Sequence, residues 1–165
     1  MRIILTSCAL VLFSSFATSA TTQTRLLEID DLFELRTVGA PRVSPDGDWV
    51  AYTVSQLDID ADRSDTDIFM SSLSDPAEDA IRLTTSDRSE TAPRWSPDGR
   101  YLGFLSSRDD EGTEVWILDR RGGEATRLTN YKGSVSAFSW SPDGAKLVVV
   151  VRDPKPEASS DDDTP

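Results

Sequence analysis

The tetrapeptide Ser-Pro-Asp-Gly occurs three times in this chain, at Ser44–Gly47, Ser96–Gly99 and Ser141–Gly144. In each copy Pro presets φ at the second position of a tight turn, Asp suits the third, and Gly accepts a positive φ at the fourth. An apolar segment rich in β-branched and aromatic residues follows each copy, as is typical of a β-strand. The motif therefore predicts a hairpin between the first two strands of a recurring all-β unit.

The spacing of the copies predicts a β-propeller. Ser96 and Ser141 are 45 residues apart, which is about the length of one four-stranded blade. Leu83-Thr84 and Leu128-Thr129 are also 45 residues apart, so a later strand recurs in the same register. Because a blade that is stacked between two others is covered on both faces, its strands need no polar alternation, and the aliphatic run 146–151 fits this expectation.

The first repeat is longer than the second. Ser44 and Ser96 are 52 residues apart, and we expect the extra residues in the polar loops Asp58–Asp65 and Ser74–Asp79, because loops tolerate length changes. The sequence holds two full units and the first half of a third, whereas a propeller closes with about 4–8 blades. The predicted fold is an incomplete β-propeller of about two and a half blades, at residues 41–84, 92–129 and 135–152.

Nine segments have the composition of β-strands. They are residues 49–55, 67–73, 80–84, 93–95, 101–106, 114–119, 125–129, 135–140 and 146–152. Trp95 and Trp140 stand at equivalent places before their turns, and each is expected to be packed between blades rather than to stack on a ligand.

The segments that flank the repeats differ in character. Met1–Ala20 has a positive residue, a mostly apolar run and small residues at its end, which predicts a signal peptide that is cleaved after Ala20. Residues 21–40 form a lead-in segment with a predicted short helix at Asp30–Val38, ended by Gly39. Residues 154–165 are rich in Pro, Ser and Asp and predict a flexible acidic tail or linker.

Charge and composition exclude several classes of function. The chain has 17 Lys and Arg against 29 Asp and Glu, a net charge of −12, which argues against binding nucleic acid because phosphates need a basic face. No His is present, so this chain cannot form a Ser-His-Asp or Cys-His catalytic arrangement. Cys8 is the only cysteine, so no intramolecular disulfide is possible. We predict no catalytic, cofactor-binding or metal-binding residue, and no cofactor.

The chain resembles the propeller part of exported prolyl oligopeptidase family serine peptidases, of the acylaminoacyl-peptidase and dipeptidyl-peptidase-like branch. The resemblance begins at Asp31-Leu32 and continues through 44–52. Five further motifs extend it: Arg82-Leu83-Thr84, Pro93–Gly99, Gly122–Ala125, Trp140–Gly144 and Arg152-Asp153-Pro154. Val43 departs from the pattern, since the later repeats have Trp at this position.

The resemblance implies a peptidase in which the propeller lies over a C-terminal α/β-hydrolase domain and limits access to it by size. Such a domain carries a Gly-x-Ser-x-Gly elbow and a Ser-Asp-His triad, none of which occurs in this sequence. The chain is therefore expected to be a non-catalytic N-terminal fragment that is exported to the periplasm or outside the cell. A TolB-like periplasmic propeller that binds proteins, and a truncated product without function, remain alternatives.

Overall fold

The computed structural model describes residues 26–59, 61–109 and 112–154. In these residues the chain forms one 3-10 helix, Ile29–Glu34, and ten strands in three antiparallel sheets with the orders β1-β2-β3-β4, β5-β6-β7-β8 and β10-β9. The strands are β1 (Arg36–Val43), β2 (Trp49–Asp58), β3 (Arg63–Ser72), β4 (Ile81–Arg82), β5 (Glu90–Trp95), β6 (Tyr101–Ser106), β7 (Glu114–Asp119), β8 (Thr126–Arg127), β9 (Ser134–Trp140) and β10 (Leu147–Arg152). The all-β prediction is confirmed.

The three sheets correspond to the three repeats, and they are named the first, second and third blades here. Strands β6 and β7 coincide with their predicted ranges. The prediction for the longer first repeat was wrong in part. Paired residues Trp49 and Ser72 are 23 apart, whereas their counterparts Tyr101 and Asp119 are 18 apart. Most of the extra length therefore extends the β2–β3 hairpin, because each added cross-strand pair continues the ladder of backbone hydrogen bonds.

The predicted helix at Asp30–Val38 was also too long. The helix ends at Glu34, Leu35 is extended, and residues from Arg36 onward pair with β2. Pairing with a ten-residue neighbour outweighs the weak helix propensity of this segment, as tertiary context commonly does. Gly39 and Pro41 lie within β1, where Ala40 takes a φ of 48° at a register shift.

Two hydrophobic clusters hold the blades against one another. The larger joins the first two blades and consists of Ala51, Ile68, Met70, Trp95, Leu102, Phe104, Trp116 and Leu118. The smaller joins the second and third blades and consists of Leu105, Val115, Val135 and Phe138. The second blade thus contributes one face to each cluster and is covered on both faces, as expected for a blade stacked between two others.

The predicted signal peptide, Met1–Ala20, lies outside the described residues, and so does the tail beyond Pro154. Within the part of the chain that the structure describes, no helix is long and apolar enough to cross a membrane.

Candidate functional site at the junctions between blades

The Ser-Pro-Asp-Gly turn has the same hydrogen bonds in all three copies. In the second copy the Gly99 N–H donates to the Ser96 carbonyl at 2.8 Å, and Gly99 has a φ of 68°. The Ser96 hydroxyl donates to Asp98 Oδ1 at 2.5 Å and accepts from the Tyr101 N–H at 2.9 Å. Asp98 Oδ1 also accepts from the Arg100 N–H at 3.0 Å. The motif therefore closes a hairpin, as predicted, and its polar groups are used by the turn.

These hydrogen bonds stabilise the charged form of the turn aspartates. The Ser44 hydroxyl, and after it the guanidinium of Arg120, lower the pKa of Asp46 to about 2. Arg120 Nη1 donates to Asp46 Oδ2 at 2.8 Å from the β7–β8 hairpin of the second blade. The serine hydroxyls of the later turns likewise lower the pKa values of Asp98 and Asp143.

The second and third turns also contact the preceding blade, each through the tryptophan that stands before it. Trp95 Nε1 donates to the Arg42 carbonyl at 2.9 Å, and Trp140 Nε1 donates to the Arg94 carbonyl at 3.3 Å. Trp95 is only 9% exposed. The prediction that the tryptophans pack between blades is confirmed, and the described contacts of the motif are those of the architecture.

Glycine and proline of successive turns pack against each other. A Cβ on Gly99 would lie 3.4 Å from Pro45 Cδ, and one on Gly144 would lie 3.5 Å from Pro97 Cδ. A Cβ on Gly47 would meet nothing within 4 Å. The first turn therefore lacks, among the described residues, the proline that covers its two successors.

The junction between the second and third blades contains a cavity of about 580 Å³. Its apolar lining includes Ile117, Leu128, Leu147 and Val149, and the rim includes Lys146. Leu147 and Val149 lie on β10, which among the described strands pairs only with β9. This cavity borders the strand edge that a complete blade would cover.

A second cavity, of about 810 Å³, lies beside the 3-10 helix, on the face of the first blade that points away from the second blade. Phe33 of the helix and Phe69 of β3 both line it. The Arg82 guanidinium pairs with Asp67 across 2.5 Å at its wall, yet burial raises the pKa of Asp67 and outweighs that pairing. The helix thus covers part of the face on which another blade would stack.

One buried ion pair was not predicted from the sequence. Glu90 is fully buried, and its Oε1 accepts from Arg108 Nη2 at 2.8 Å. The Arg108 guanidinium lies 4.6 Å from the ring centre of Trp116, a cation–π contact. Val38 and Val135 occupy the position of Glu90 in the other blades, since they pair with the counterparts of its partner Ser106. The sequence signal that could have indicated this ion pair is a glutamate at a position where the other repeats have valine.

No described residues form a group of three or more His, Cys, Asp or Glu side chains that could hold a metal ion. The structure brings together turn residues, tryptophans and apolar strand faces, which are the elements of a scaffold. Asp161–Asp163, three consecutive carboxylates in the tail, lie outside the described residues.

The blades and their junctions define the class of protein, which is a β-propeller with Ser-Pro-Asp-Gly hairpins. The sequence pattern of the TolB beta propeller domain (PD40) matches residues 28–162. The chain belongs to this family.

Two curated relatives bear the names of peptidases. The "Uncharacterized peptidase YuxL" of Bacillus subtilis is 34% identical over 101 residues, which cover 61% of this chain and 15% of the relative. Dipeptidyl-peptidase 5 of Porphyromonas endodontalis is 29% identical over 101 residues, which cover 61% of this chain and 14% of the relative. The chain therefore spans only about a seventh of the length of these relatives.

Solved structures show the same fold in two settings. TolB from Acinetobacter baumannii has a TM-score of 0.58 and 30% identity, over 70% of this chain and 27% of that protein. Acylaminoacyl peptidase from Pyrococcus horikoshii also has a TM-score of 0.58, with 21% identity over 73% of this chain and 18% of that protein. At that identity the second likeness shows the fold alone. The resemblance to the propeller part of these peptidases is confirmed, and the chain is TolB-like as well.

Proposed function

We propose that this chain is the N-terminal propeller segment of an exported serine peptidase. It is not catalytic by itself, and it supports or gates a C-terminal α/β-hydrolase domain that residues 1–165 do not contain. The observation that carries the proposal is the 34% identity to a peptidase over 101 residues of the blades. The absence of histidine from the whole sequence makes a triad within the chain impossible, so a catalytic partner has to supply it.

The proposal divides the chain by task. Residues 1–20 direct export and are removed, residues 21–40 lead into the propeller, 41–153 form its first blades, and 154–165 link onward. The substrates are short peptides, because a propeller over the active site restricts entry by size. The described junctions support this scaffold role, since their polar groups are bonded to neighbouring blades rather than free for chemistry.

The first test is the reading frame downstream of the codon for Pro165. Further Ser-Pro-Asp-Gly units, then Gly-x-Ser-x-Gly and a late His, are expected. The protein from the full frame should hydrolyse chromogenic dipeptide or acyl-amino-acid substrates, and purified residues 21–165 should not. Turnover by the pure 21–165 chain contradicts the proposal.

Gating and export have separate measurements. With the full-frame protein, short peptide substrates should be cleaved much faster than intact casein, and equal cleavage of both contradicts gating. Mass spectrometry of the protein from a cell-envelope fraction should show a mature N-terminus at Thr21, whereas an intact N-terminus at Met1 contradicts the signal peptide.

A second candidate is a TolB-like module that binds proteins. It is favoured by the 30% identity to the Acinetobacter TolB and by the family to which the chain belongs. A downstream frame that adds blades and then stops without a hydrolase would select this candidate. A stop directly after Pro165 would favour a truncated product instead.

A further inference from the structure

The tripeptide Ala-Pro-Arg occurs at the same place in the first two blades, at Ala40–Arg42 and at Ala92–Arg94. In both copies the alanine has a positive φ, of 48° and 52°, which is uncommon for a residue other than glycine. A register shift in the strand pairing spans each copy. Because such a bulge changes the direction of nearby side chains, the two arginines are positioned by the same local device.

The third blade has the bulge without the strained alanine. Its equivalent run is Ala137-Phe138-Ser139, and Ala137 does not have a positive φ. Strand β9 nevertheless has a register shift of its own, so the bulge does not require the strain. The proline and the arginine are what the two strained copies share and the third blade lacks. A backbone outlier that recurs in this way is a reason to look for a function.

Both arginines lie on the first strand of their blade, and the first strands converge. Strand β1 contacts β5, and β5 contacts β9, whereas among the described elements β4 and β8 contact only the third strand of their own blade. Each blade therefore spreads outward from its first strand, and the first strands border the central channel of the propeller. Arg42 and Arg94 occupy equivalent positions on these strands, next to the channel.

The two guanidinium groups are held by the backbone and keep free donors. Arg42 Nη1 donates to the Pro41 carbonyl at 2.8 Å, and Arg94 Nη1 donates to the Pro93 carbonyl at 3.0 Å. A guanidinium has further N–H donors in a fixed planar arrangement. Neither group has a buried nitrogen without a partner, so the unused N–H groups face solvent. Both arginines are thus fixed in place with donors available to a ligand.

No described carboxylate forms an ion pair with Arg42 or Arg94. The chain has a net charge of −12, so carboxylates are in excess elsewhere. Burial lowers the pKa of Arg94, and the charge of Arg42 lowers it further. Two positive charges that repel each other without a counter-ion favour the binding of an anion to both.

We propose that Arg42 and Arg94 form an anion-binding site beside the propeller channel and that its ligand is a carboxylate of a peptide. Arginine suits this ligand because its planar group binds a carboxylate through two parallel hydrogen bonds. The carboxylate belongs to an acidic side chain or to the C-terminus of the peptide. The choice of a peptide rests on the proposed function, in which short peptides reach the active site past the propeller.

The binding test uses the protein from the full reading frame, with any reactive serine blocked by phenylmethylsulfonyl fluoride so that peptides stay intact. The probes are three fluorescent pentapeptides: Ala-Ala-Glu-Ala-Ala with blocked ends, the same peptide with glutamine for glutamate, and the glutamine peptide with a free C-terminus. By fluorescence anisotropy, a peptide with a carboxylate should bind about tenfold more tightly than the blocked glutamine peptide. Equal binding of all three overturns the proposal, and so does tighter binding of inorganic phosphate than of either carboxylate peptide.

Substitution of both arginines tests whether they cause this preference. Arg42→Gln with Arg94→Gln keeps a donor at each position and removes both charges, so the preference for a carboxylate should fall to about twofold or less. Binding of the blocked glutamine peptide should not change. Arg63→Gln makes the same charge change at an exposed position of β3 and should keep the preference of the parent. An equal loss in the Arg63→Gln variant contradicts the site.

Chemical labelling tests the parent protein without any substitution. Phenylglyoxal should modify Arg42 and Arg94 in the absence of peptide, as mass spectrometry of proteolytic fragments would show. The glutamate peptide should protect both arginines, the blocked glutamine peptide should not, and Arg63 should react equally in all samples. If Arg42 and Arg94 do not react without peptide, a carboxylate of the protein itself occupies them and the proposal is overturned. Because none of these measurements depends on turnover, a lack of peptidase activity overturns the proposed function and not the anion site.

Discussion

The first junction, between the first and second blades, and the second junction, between the second and third blades, have the same tryptophan contact. They differ in how fully they are packed. The first has eight buried apolar residues from both blades in one cluster, whereas the second has four. The difference lies in the third and fourth strands of a blade, called the outer strands here. At the first junction these are β7 and β8 of the second blade, whereas no described strand takes their place at the second junction. The turn motif aligns blades, and the outer strands supply most of the apolar contact.

The largest effect is expected on the aggregation of residues 21–165. Residues 21–165 alone should aggregate, with Leu147–Val151 as the most hazardous segment, because β10 has an open edge and Val148 and Val150 are 67% and 56% exposed. Val148→Lys combined with Val150→Lys should raise the monomer fraction in light scattering. Val38→Lys, at a 65% exposed position of the first blade, is the control and should change little. A sharp, reversible thermal transition of the unmodified monomer contradicts the prediction.

The next effect compares the two tryptophans. Trp95→Ala should lower the free energy of unfolding by about 3–5 kcal/mol, because it removes a buried ring from a packed cluster. Trp140→Ala should cost about 1–3 kcal/mol, because this half-buried ring already borders open space. Urea unfolding in the Val148→Lys, Val150→Lys background measures both. Equal costs would show that the two junctions are equally packed.

The buried ion pair distinguishes the second blade from its neighbours. Glu90→Ala should cost about 3 kcal/mol, because it leaves the Arg108 guanidinium without its carboxylate. Glu90→Val together with Arg108→Met should recover most of this loss, since valine occupies the same position in the other blades. Urea unfolding of the single and double variants measures the difference. A double variant no more stable than Glu90→Ala would show that the pair is needed for the fold.

A smaller effect tests the close approach in the second junction. A Cβ on Gly103 would lie 2.9 Å from Phe138 Cε2, so Gly103→Ala should cost about 1–3 kcal/mol by overpacking. Adding Phe138→Leu should relieve part of this cost, because the first blade tolerates Ala51 at the same position, where the facing strand has Pro93. A double-mutant cycle in urea measures the coupling, and purely additive costs contradict the clash.

The smallest effect concerns the turn carboxylates. The pKa of Asp46 is lowered to about 2, so its stabilising contribution is present above its ordinary pKa and is lost as pH falls through about 2. Arg120→Ala should raise the pKa of Asp46, since Arg120 is one cause of the shift. Asp143 has no arginine among the causes of its own shift and serves as the internal control. NMR titration of the carboxyl carbons measures the pKa values of Asp46 and Asp143. An unchanged pKa of Asp46 in the Arg120→Ala variant contradicts the contact between the blades.

The repeat could be predicted in detail because its information is local. Gly99 has the positive φ that the motif demands, and β6 and β7 lie where their residues predicted. The local helix signals did not indicate where the helix ends, because the pairing of Arg36 with Gln56 of β2 decides it. The Ala-Pro-Arg run at 40–42 recurs at 92–94, and its alanines have φ values of 48° and 52°. That recurrence could have placed β1 correctly.

By itself the sequence determined the hairpins, the blade period and the absence of a histidine-based active site, because turn chemistry, spacing and residue types are properties of the chain alone. Only the tertiary structure decided which faces are covered. It paired Trp95 with the Arg42 carbonyl, buried Glu90 against Arg108, and left the edge of β10 open beside a cavity. Trp95 and the Arg42 carbonyl are 53 positions apart in the chain, and Glu90 and Arg108 of one blade are 18 apart. Contacts between residues this far apart are set by the packing of strands and blades and not by local sequence.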